Sequence, residues 1–576
     1  MSDPAVSPTT SATVHLPLAH AWWRPTEAPG YVSAPSPAPE TGLDEAFLNR
    51  PLFESFAAMA RRQPAAPALL ADAHSTTYGD LLDHAASLAA RIDAATEPGA
   101  AVATLLPDPV DAVRTLLACM AAGRPCIVLN PDHPVARLAD ILADAGAGGL
   151  ILAPDGVPPT RPLGTPLIPL RSSMETGAAA VPRPAPQDAP ALVVYTSGST
   201  GQPKGVVCSQ RQMLARAGHR IRQLGLTRAD RMLSLYPMTS GPGIVAAITA
   251  LLSGGTLHVA GAAAIGARGV LGVVRDAQIT TLTVVPALLR TLLALDGAAR
   301  AFVHLRSIAT SSESILRQDL EPWRRILPPD CAIRTGYGMT EGAPLADWFL
   351  PANIPGTAAR LPIGYPAPWH QFAITDTDGA PVPEDQPGEL WVRGRLLSLG
   401  EWQHGRCVPG RLLADPDDAR GAILRTGDLV RRRRDGLLEF AGRADAQIRI
   451  RGNRVEPAEV EHVLRQTQGV GDAAILARVT AGDTIVVAFV VPARPASSDD
   501  AVASNDGKAA LRDAAITRLR EALPSYMQPT RLHVIPGVPK LPGGKVDMGA
   551  LERLDEASIP RGSLAWLRRL VGLRSA

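Results

Sequence analysis

The chain has 576 residues, of which 46% are hydrophobic and 19% are charged, proportions typical of a globular protein with more than one core. Its formal net charge of +2 gives no global field that would attract nucleic acid or a membrane surface, so we expect neither as a partner. No apolar run has the length of a membrane span, and the N-terminus lacks the features of a signal peptide, which predicts a cytoplasmic location. The scattered cysteines show no metal-ligand spacing, which predicts a reducing compartment and no structural zinc: Cys119, Cys126, Cys208, Cys331 and Cys407.

Helices and strands alternate along most of the chain. Residues 1–44 are rich in Pro and Ala and predict a loose extension, with Trp22 and Trp23 pinned to the body. Apolar spacing then predicts helices over 80–92, 110–122, 134–145, 211–224 and 244–252. Short buried strands are predicted at 126–129, 149–153, 192–195, 232–236, 281–285 and 306–310. This alternation indicates βαβ units and parallel sheets covered on both faces.

The texture of the sequence changes after about Pro362, where short strands and turns predict a β-rich part. The basic run from Arg431 to Arg434 precedes Asp435-Gly436, a turn sequence, and so predicts a solvated strand pair rather than a nucleic-acid site. A smaller α+β unit follows. Its predicted elements are helices at 457–468 and 509–523, strands at 473–479 and 484–491, and a disordered insert at 497–507.

A loop rich in glycine and hydroxyl groups follows the predicted strand at 192–195. It is Tyr195-Thr-Ser-Gly-Ser-Thr-Gly-Gln-Pro-Lys-Gly205. Its glycines allow backbone amides to approach an anion, its hydroxyls add donors, and Lys204 adds a charge suited to phosphate. It is not a Walker A motif, because Lys204 precedes Gly205 instead of Ser or Thr. The alternative is an ordinary flexible turn, but the loop is better explained as a nucleotide-phosphate loop.

Five further motifs follow in order: Gly336-Tyr-Gly-Met-Thr-Glu341, Thr426-Gly-Asp428, residues 442–456, Leu523-Pro-Ser-Tyr-Met527 and Gly543-Gly-Lys-Val-Asp547. With the phosphate loop, they make residues 45–555 resemble the adenylate-forming superfamily of acyl-CoA synthetases, luciferases and nonribosomal peptide synthetase adenylation domains. Asn130-Pro-Asp-His-Pro134 is similar to the peptide-synthetase branch. The resemblance implies an α/β fold with a large AMP-binding domain at 45–444 and a small mobile domain at 445–555. Residues 556–576 then form a tail.

The family activates a carboxylic acid with ATP and Mg²⁺, forming an acyl-adenylate and pyrophosphate, and then transfers the acyl group to a thiol. The resemblance implies that Thr340 contacts the α-phosphate, that Glu341 takes Mg²⁺, and that Asp428 with Arg443 binds the ribose. Tyr337, preceded by Gly336, would stack on adenine. The residues implied for the β- and γ-phosphates are Thr196, Ser197, Gly198, Ser199, Thr200 and Lys204.

Lys545 is implied as the catalytic cation of the first step, because it would stabilise charge at the α-phosphoryl group. It lies on the small domain, which in the family rotates between the two steps about a hinge that matches Asp445. The rotation would remove Lys545 and bring the loop at Gly452 to the site, where it would guide a pantetheine thiol.

The acid pocket departs from the peptide-synthetase pattern. Gly241 occupies the position of the aspartate that binds an α-amino group, so an α-amino acid is disfavoured, since a buried ammonium would lack a partner. Gln210 and residues 310–314 also differ from the family pattern and are expected to reshape the pocket. The predicted lining is apolar and uncharged and suits an aliphatic or aryl acid: Gly241, Pro242, Val245, Pro344 and Leu345.

Three functions remain open on the sequence. The first is an acid–thiol ligase that loads a separate carrier protein bearing phosphopantetheine, since residues 558–576 are too short for a carrier domain. The second is a ligase that uses free CoA. The third is a catalytically degenerate nucleotide-binding partner of a biosynthetic complex, and the intact Lys204, Glu341, Asp428 and Lys545 argue against it.

Overall fold

The computed structural model describes residues 16, 21–25, 45–71, 74–153, 165–170, 185–197, 203–260, 262–354, 356–444, 447–450, 452–480, 483–493, 505–540 and 546–558. Some of the predicted site residues lie outside these ranges and stay predictions: Gly198, Ser199, Thr200, Asp445 and Lys545.

Fourteen α-helices lie in the described ranges: α1 (Glu45–Leu48), α2 (Leu52–Arg62), α3 (Tyr78–Ala95), α4 (Pro109–Ala121), α5 (Val135–Ala145), α6 (Gln210–Leu224), α7 (Gly241–Ser253), α8 (Ala262–Asp276), α9 (Pro286–Leu293), α10 (Ala298–Ala301), α11 (Arg317–Ile326), α12 (Pro457–Arg465), α13 (Asn505–Ala522) and α14 (Met548–Ser558).

The strands of the large N-terminal part are β1 (Pro67–Ala71), β2 (His74–Thr77), β3 (Val102–Leu105), β4 (Cys126–Leu129), β5 (Gly149–Leu152), β6 (Leu167–Pro169), β7 (Pro190–Thr196), β8 (Lys204–Ser209), β9 (Arg231–Ser234), β10 (Thr256–Val259), β11 (Thr281–Val284), β12 (Ser307–Ser311), β13 (Ala332–Met339), β14 (Ala343–Phe349), β15 (Tyr365–Pro366), β16 (Gln371–Thr375), β17 (Pro387–Gly394), β18 (Gly400–Gln403), β19 (Arg406–Val408), β20 (Leu413–Ala414), β21 (Ala422–Arg432) and β22 (Leu438–Arg443). The strands of the smaller C-terminal part are β23 (Ile448–Ile450), β24 (Asn453–Val455), β25 (Val470–Thr480), β26 (Asp483–Pro492) and β27 (Arg531–Val534).

Two large sheets and the helices between them form the body of the molecule. The first sheet has the strand order β19-β18-β8-β7-β4-β3-β5-β6, and the second has β15-β14-β13-β12-β11-β9-β10-β1-β2. One core cluster joins side chains from both sheets to helices α2, α3, α4, α6 and α7, so these helices are buried between two sheet faces. The central strands are parallel and almost wholly buried, which explains their short, continuously apolar sequences.

The predicted α/β class and most of the predicted elements are confirmed. The strand predicted at 126–129 has the observed bounds, and the helix predicted at 134–145 begins one residue later and ends at Ala145, followed by Gly146, which has a φ of 52°. Glycine suits such a left-handed C-terminal residue because it has no Cβ. Edge strands β14, β15 and β2 pair antiparallel, so the sheets are mixed rather than purely parallel.

A third sheet, wholly antiparallel, follows with the order β16-β17-β21-β20 and β22 paired to β21. The basic run forms the predicted hairpin here, because Arg431 pairs with Glu439 across β21 and β22 and Arg433 bonds Asp435 in the turn. The anchoring of the N-terminal extension is also confirmed. Trp23 makes a backbone bridge to Phe372.

The small C-terminal part has its own core, in which helices α12 and α13 pack on the three-stranded sheet β25-β26-β27. Helix α13 begins at Asn505, so the prediction of a disordered insert is wrong for 505–507. The rest of that insert and the tail from 559 lie outside the described residues. A buried ion pair between Arg137 on α5 and Glu459 on α12 ties the small part to the large one. No helix in the described ranges is long and apolar enough to cross a membrane.

Candidate active site

A cavity of about 820 Å³ opens where the carboxyl ends of the central strands in both large sheets meet the small C-terminal part. The cavity wall brings together predicted residues from distant parts of the chain: Thr196, Ser197, Gly241, Pro242, Val245, Gly336, Tyr337, Thr340, Pro344 and Gly452. Ligands of open α/β sheets bind outside the carboxyl ends of the strands, and this cavity occupies that position.

Tyr337 lines the cavity, whereas Asp428, which bonds Tyr337, and its partner Arg443 are not among the lining residues. We call these three residues, where the nucleotide is predicted to bind, the nucleotide end. Asp428 on β21 and Arg443 on β22 are cross-strand partners, and Arg443 Nη1 donates to Asp428 Oδ1 at 2.6 Å. The Tyr337 hydroxyl on β13 donates to the other carboxylate oxygen of Asp428. Burial and the neighbouring Asp428 raise the pKa of Tyr337, so the phenol stays protonated and can donate. The predicted adenine and ribose residues therefore form one hydrogen-bonded unit.

The phosphate loop begins and ends on two antiparallel strands, with Thr196 at the end of β7 and Lys204 at the start of β8. Thr196 Oγ1 is buried and has no hydrogen-bond partner among the described residues, so it is free to donate to a ligand. Ser197 Oγ donates to the carbonyl of Arg454 at 2.9 Å. Lys204 Nζ lies 2.9 Å from Glu401 Oε1 on β18, and this ion pair fixes the lysine at the edge of the first sheet.

Glu341 is only 2% exposed and is held by two arginines through one carboxylate oxygen. Arg411 Nη2 lies 2.5 Å from Glu341 Oε1, and Arg454 Nη1 of the small part lies 3.0 Å from the same atom. Burial alone would raise the Glu341 pKa, but Arg411, Arg454 and Lys204 outweigh it and hold that pKa at about 2. The carboxylate is therefore ionised at physiological pH.

The second carboxylate oxygen of Glu341 fits the predicted Mg²⁺. Oε2 is buried and accepts no hydrogen bond from the described residues. No cluster of three or more His, Cys, Asp or Glu side chains suited to a metal occurs in the part of the chain that the structure describes. Mg²⁺ is commonly bound by one or two carboxylates plus substrate phosphates, so a single anionic oxygen beside the phosphate loop is an adequate protein contribution.

The small part contributes a loop to the cavity wall through Gly452, Asn453 and Arg454. Gly452 has a φ of 80°, and a Cβ added there would lie 2.9 Å from Val285 Cγ1 of the large part. Both the backbone angle and the close approach require glycine. By contrast, Val546, next to Lys545, packs in the core of the small part and does not line the cavity.

We call the part of the cavity around Gly241, Pro242 and Arg220 the acid end. Gly241 and Pro242 form the first turn of α7, which begins after Ser240, whose Oγ accepts from Gly243 N. A Cβ added to Gly241 would meet no atom within 4 Å. The space beside this residue is therefore open, as expected where a larger side chain is missing.

Three predictions about the acid pocket are wrong. Leu345 is fully buried in the core beneath the third sheet, because neighbouring residues on β14 point to opposite faces and Pro344 takes the cavity side. Gln210 accepts from the backbone of Leu52 at 2.9 Å and does not reach the cavity. The lining is also not uncharged.

The charge of the lining is the main feature that the sequence analysis missed. Among the described residues, no Asp or Glu lines the cavity, whereas six arginines do: Arg216, Arg220, Arg290, Arg334, Arg449 and Arg454. Arg216 and Arg220 lie one turn apart on α6, and their spacing was visible in the predicted helix at 211–224. The prediction failed because it drew the lining only from residues 241–245 and 344–345, whereas α6 also contributes to the cavity wall.

Comparisons with known proteins agree with this geometry. Residues 56–402 match the family described as AMP-binding enzyme, and residues 459–545 match the AMP-binding enzyme C-terminal domain. Phenyloxazoline synthase MbtB of Mycobacterium tuberculosis is 31% identical over 516 residues, which are 88% of this chain and 35% of that protein. Isonitrile lipopeptide synthase of Streptomyces coeruleorubidus is 30% identical over 521 residues, 87% of this chain and 33% of that protein. The chain thus spans about a third of the length of these two curated relatives.

Solved structures share the fold. The o-succinylbenzoate CoA synthetase MenE of Bacillus subtilis superposes with a TM-score of 0.71 at 21% identity, over 87% of this chain and 98% of that one. A nonribosomal peptide synthetase protein containing adenylation and PCP domains gives a TM-score of 0.73 at 21% identity, over 88% and 85% of the two chains.

Proposed function

Since the chain belongs to the AMP-binding enzyme family, we propose that it activates a carboxylic acid as an acyl-adenylate and transfers the acyl group to a phosphopantetheine thiol. The observation that carries this proposal is the shared cavity wall. It joins the nucleotide end, the phosphate loop and the Gly452 loop of the small part around one space. An enzyme that brings an acid, ATP and a thiol together in sequence needs the binding sites of all three to open into one space.

In the proposed first step, a carboxylate oxygen of the acid attacks the α-phosphorus of ATP. The bond from that phosphorus to the oxygen bridging the β-phosphate breaks, and pyrophosphate leaves. Tyr337 and Asp428 would hold the adenosine, while Thr196, Ser197 and Lys204 would hold the departing phosphates, assisted by Gly198, Ser199 and Thr200. These groups catalyse by positioning and by electrostatic stabilisation, which supply most of the rate enhancement in phosphoryl chemistry.

Two positive charges would act on the reacting phosphate. Lys545 is proposed to approach the α-phosphoryl group in this step and to stabilise its developing charge. The Glu341 carboxylate would hold Mg²⁺, which neutralises phosphate charge when bound. Thr340 follows β13 on the cavity wall and would contact the α-phosphate.

In the proposed second step, the thiol sulfur attacks the acyl carbonyl as a thiolate, AMP leaves, and a thioester forms. The contacts of the small part support an arrangement suited to this step. The Gly452 loop lies on the cavity wall, and Arg454 bonds both Glu341 and, through its carbonyl, Ser197. Asp445 is the proposed hinge for the return to the first arrangement.

The proposed acceptor is a separate carrier protein, with free CoA as the alternative. The curated relatives are synthases of larger size, and the segment from Asn130 to Pro134 is similar to the peptide-synthetase branch. The acid is proposed to lack an α-amino group, because the arginine-lined cavity with Gly241 offers an ammonium no carboxylate among the described residues.

Pyrophosphate exchange tests the first step. Purified protein is incubated with ATP, labelled pyrophosphate and a panel of acids, and label incorporated into ATP is measured. We expect exchange with acids that lack an α-amino group. CoA and phosphopantetheinylated carrier proteins are then offered separately, and thioester is measured by mass spectrometry. If exchange occurs and a thioester forms on CoA but on no carrier protein, the result would favour the CoA ligase. ATP binding without any exchange would favour the degenerate partner and contradict the proposal.

A further inference from the structure

Arg220 places a charge on the cavity wall that its neighbours leave partly uncompensated. It lines the acid end, and its Nη1 atom is buried without a hydrogen-bond partner among the described residues. Burial and the neighbouring Arg334 lower its pKa to about 10, so the guanidinium remains protonated at neutral pH. The Arg220 side chain is half-buried, but its Nη1 atom is shielded from water, and an unpaired polar atom in such a place is costly unless an anionic ligand binds it.

The carboxylate of Asp347, whose charge acts on Arg220, is already occupied. Asp347 accepts from His219 Nε2 at 2.8 Å and from Gln223, and it forms an ion pair with Arg334 Nη2 at 3.2 Å. This network satisfies both oxygens of the carboxylate. Arg220 feels the charge of Asp347 but makes no ion pair with it within the described ranges.

Arg216 and Arg220 differ in what they face. Arg216 Nη2 donates to the carbonyl of Thr340 at 2.6 Å and so belongs to the end where the α-phosphate is expected. Arg220 lies one helical turn further along α6, beside Tyr236, whose hydroxyl bonds the backbone carbonyl of Ser311 at 3.0 Å. A turn of helix is about 5.4 Å, which separates Arg220 from the phosphate positions.

We propose that Arg220 binds a second anionic group of the acid substrate, so that the enzyme activates a dicarboxylic acid. One carboxylate would react beside Thr340, and the other would accept hydrogen bonds from the Arg220 guanidinium at the acid end. Thr340, Gly241 and Arg220 line one cavity of about 820 Å³, and the open space beside Gly241 adds room for the carbon skeleton of the acid. This inference rests on the proposed acid activation and specifies its substrate class.

The test compares short aliphatic and aromatic dicarboxylic acids with their monoamides, which keep the shape and remove the second charge. Charge-assisted hydrogen bonds to a carboxylate predict that kcat/KM for pyrophosphate exchange is about 10- to 100-fold higher for the dicarboxylate. Arg220→Leu should abolish this preference. Arg222→Leu is the matched control, because Arg222 lies on the same helix but is exposed to solvent. Arg220→Glu should shift the preference toward acids with a distal amine, a gain that misfolding could not produce.

Equal rates for dicarboxylates and monoamides, or a preference that survives Arg220→Leu, would overturn the inference and leave acid activation intact. If no acid supports exchange, titration calorimetry with the same dicarboxylates decides the question without catalysis. Binding that is lost in Arg220→Leu but kept in Arg222→Leu would support the anion site while the proposed activation fails. Binding that is absent or unchanged in Arg220→Leu would overturn the anion site as well.

Discussion

The nucleotide end and the acid end differ in whether their charged groups are paired in the absence of a ligand. At the nucleotide end, Asp428 is paired with Arg443 and accepts from Tyr337, so the polar groups are satisfied before any ligand binds. At the acid end, Arg220 Nη1 finds no partner in the described part of the chain. A preformed network suits a ligand that every relative shares, whereas an uncompensated cation suits discrimination among acids.

The largest effect is expected from a substitution at Lys545, which should slow the first chemical step without changing ligand binding at either end of the cavity. Lys545→Ala should lower pyrophosphate exchange by about 10²- to 10³-fold, the typical cost of one electrostatic donor at a transition state. Thioester formation from a synthetic acyl-adenylate, measured by mass spectrometry, should be retained. The control is Lys540→Ala in the same region of the small part. Unchanged exchange in Lys545→Ala would remove this residue from the first step.

The next effect tests the preformed network. Asp428→Asn should raise the KM for ATP in exchange by about 10- to 100-fold, because the ribose loses a charged acceptor and Arg443 loses its ion pair. The KM for the acid should change little. Asp435→Asn is the control, since Asp435 also pairs with an arginine but lies in the exposed turn of the same hairpin. Equal effects on ATP and acid would contradict the separation of the two ends.

A smaller effect is expected at the junction between the two parts. Arg454→Ala removes one of two arginines from Glu341 and should slow thioester formation by about 10-fold. Exchange should be less affected, because Arg411 still binds Glu341. Arg465→Ala, an ion-paired arginine on the surface of the small part, is the control. Rapid-quench measurement of both steps compares the two effects. A selective loss of exchange would mean that Arg454 acts in the first step rather than in the second.

The smallest effects should come from two glycines in the first turn of α7, Gly241 on the cavity wall and Gly243 behind it. A Cβ at Gly243 would lie 2.2 Å from the carbonyl oxygen of Pro237, so Gly243→Ala should destabilise the protein by about 1–3 kcal/mol and lower its Tm. Gly241→Ala meets open space and should leave the Tm unchanged or slightly higher, since alanine favours a helix. Thermal unfolding compares the two, and an equal loss of Tm would mean that the space beside Gly241 is filled.

The sequence placed Arg443 beside Asp428, and the structure brings both together with Tyr337, because these residues lie in contiguous motifs on strands. Asp428 and Arg443 lie on the two strands of one hairpin, so their contact follows from local strand pairing. The acid end depends on how α6 packs between two sheets, which no local pattern specifies. The sequence places Arg220 on a helix but does not predict which way its side chain points. Leu345 could have been assigned correctly, because adjacent residues of a strand point to opposite faces, so Pro344 and Leu345 cannot both line the cavity.

An isotope experiment tests acyl-adenylate formation most directly. The acid that best supports exchange is labelled with ¹⁸O in its carboxylates, and the AMP released after thiol transfer is analysed by mass spectrometry. Attack of the carboxylate on the α-phosphorus leaves one carboxylate oxygen on AMP, so each AMP should carry a single ¹⁸O. Unlabelled AMP, or label recovered in phosphate beside ADP, would contradict it.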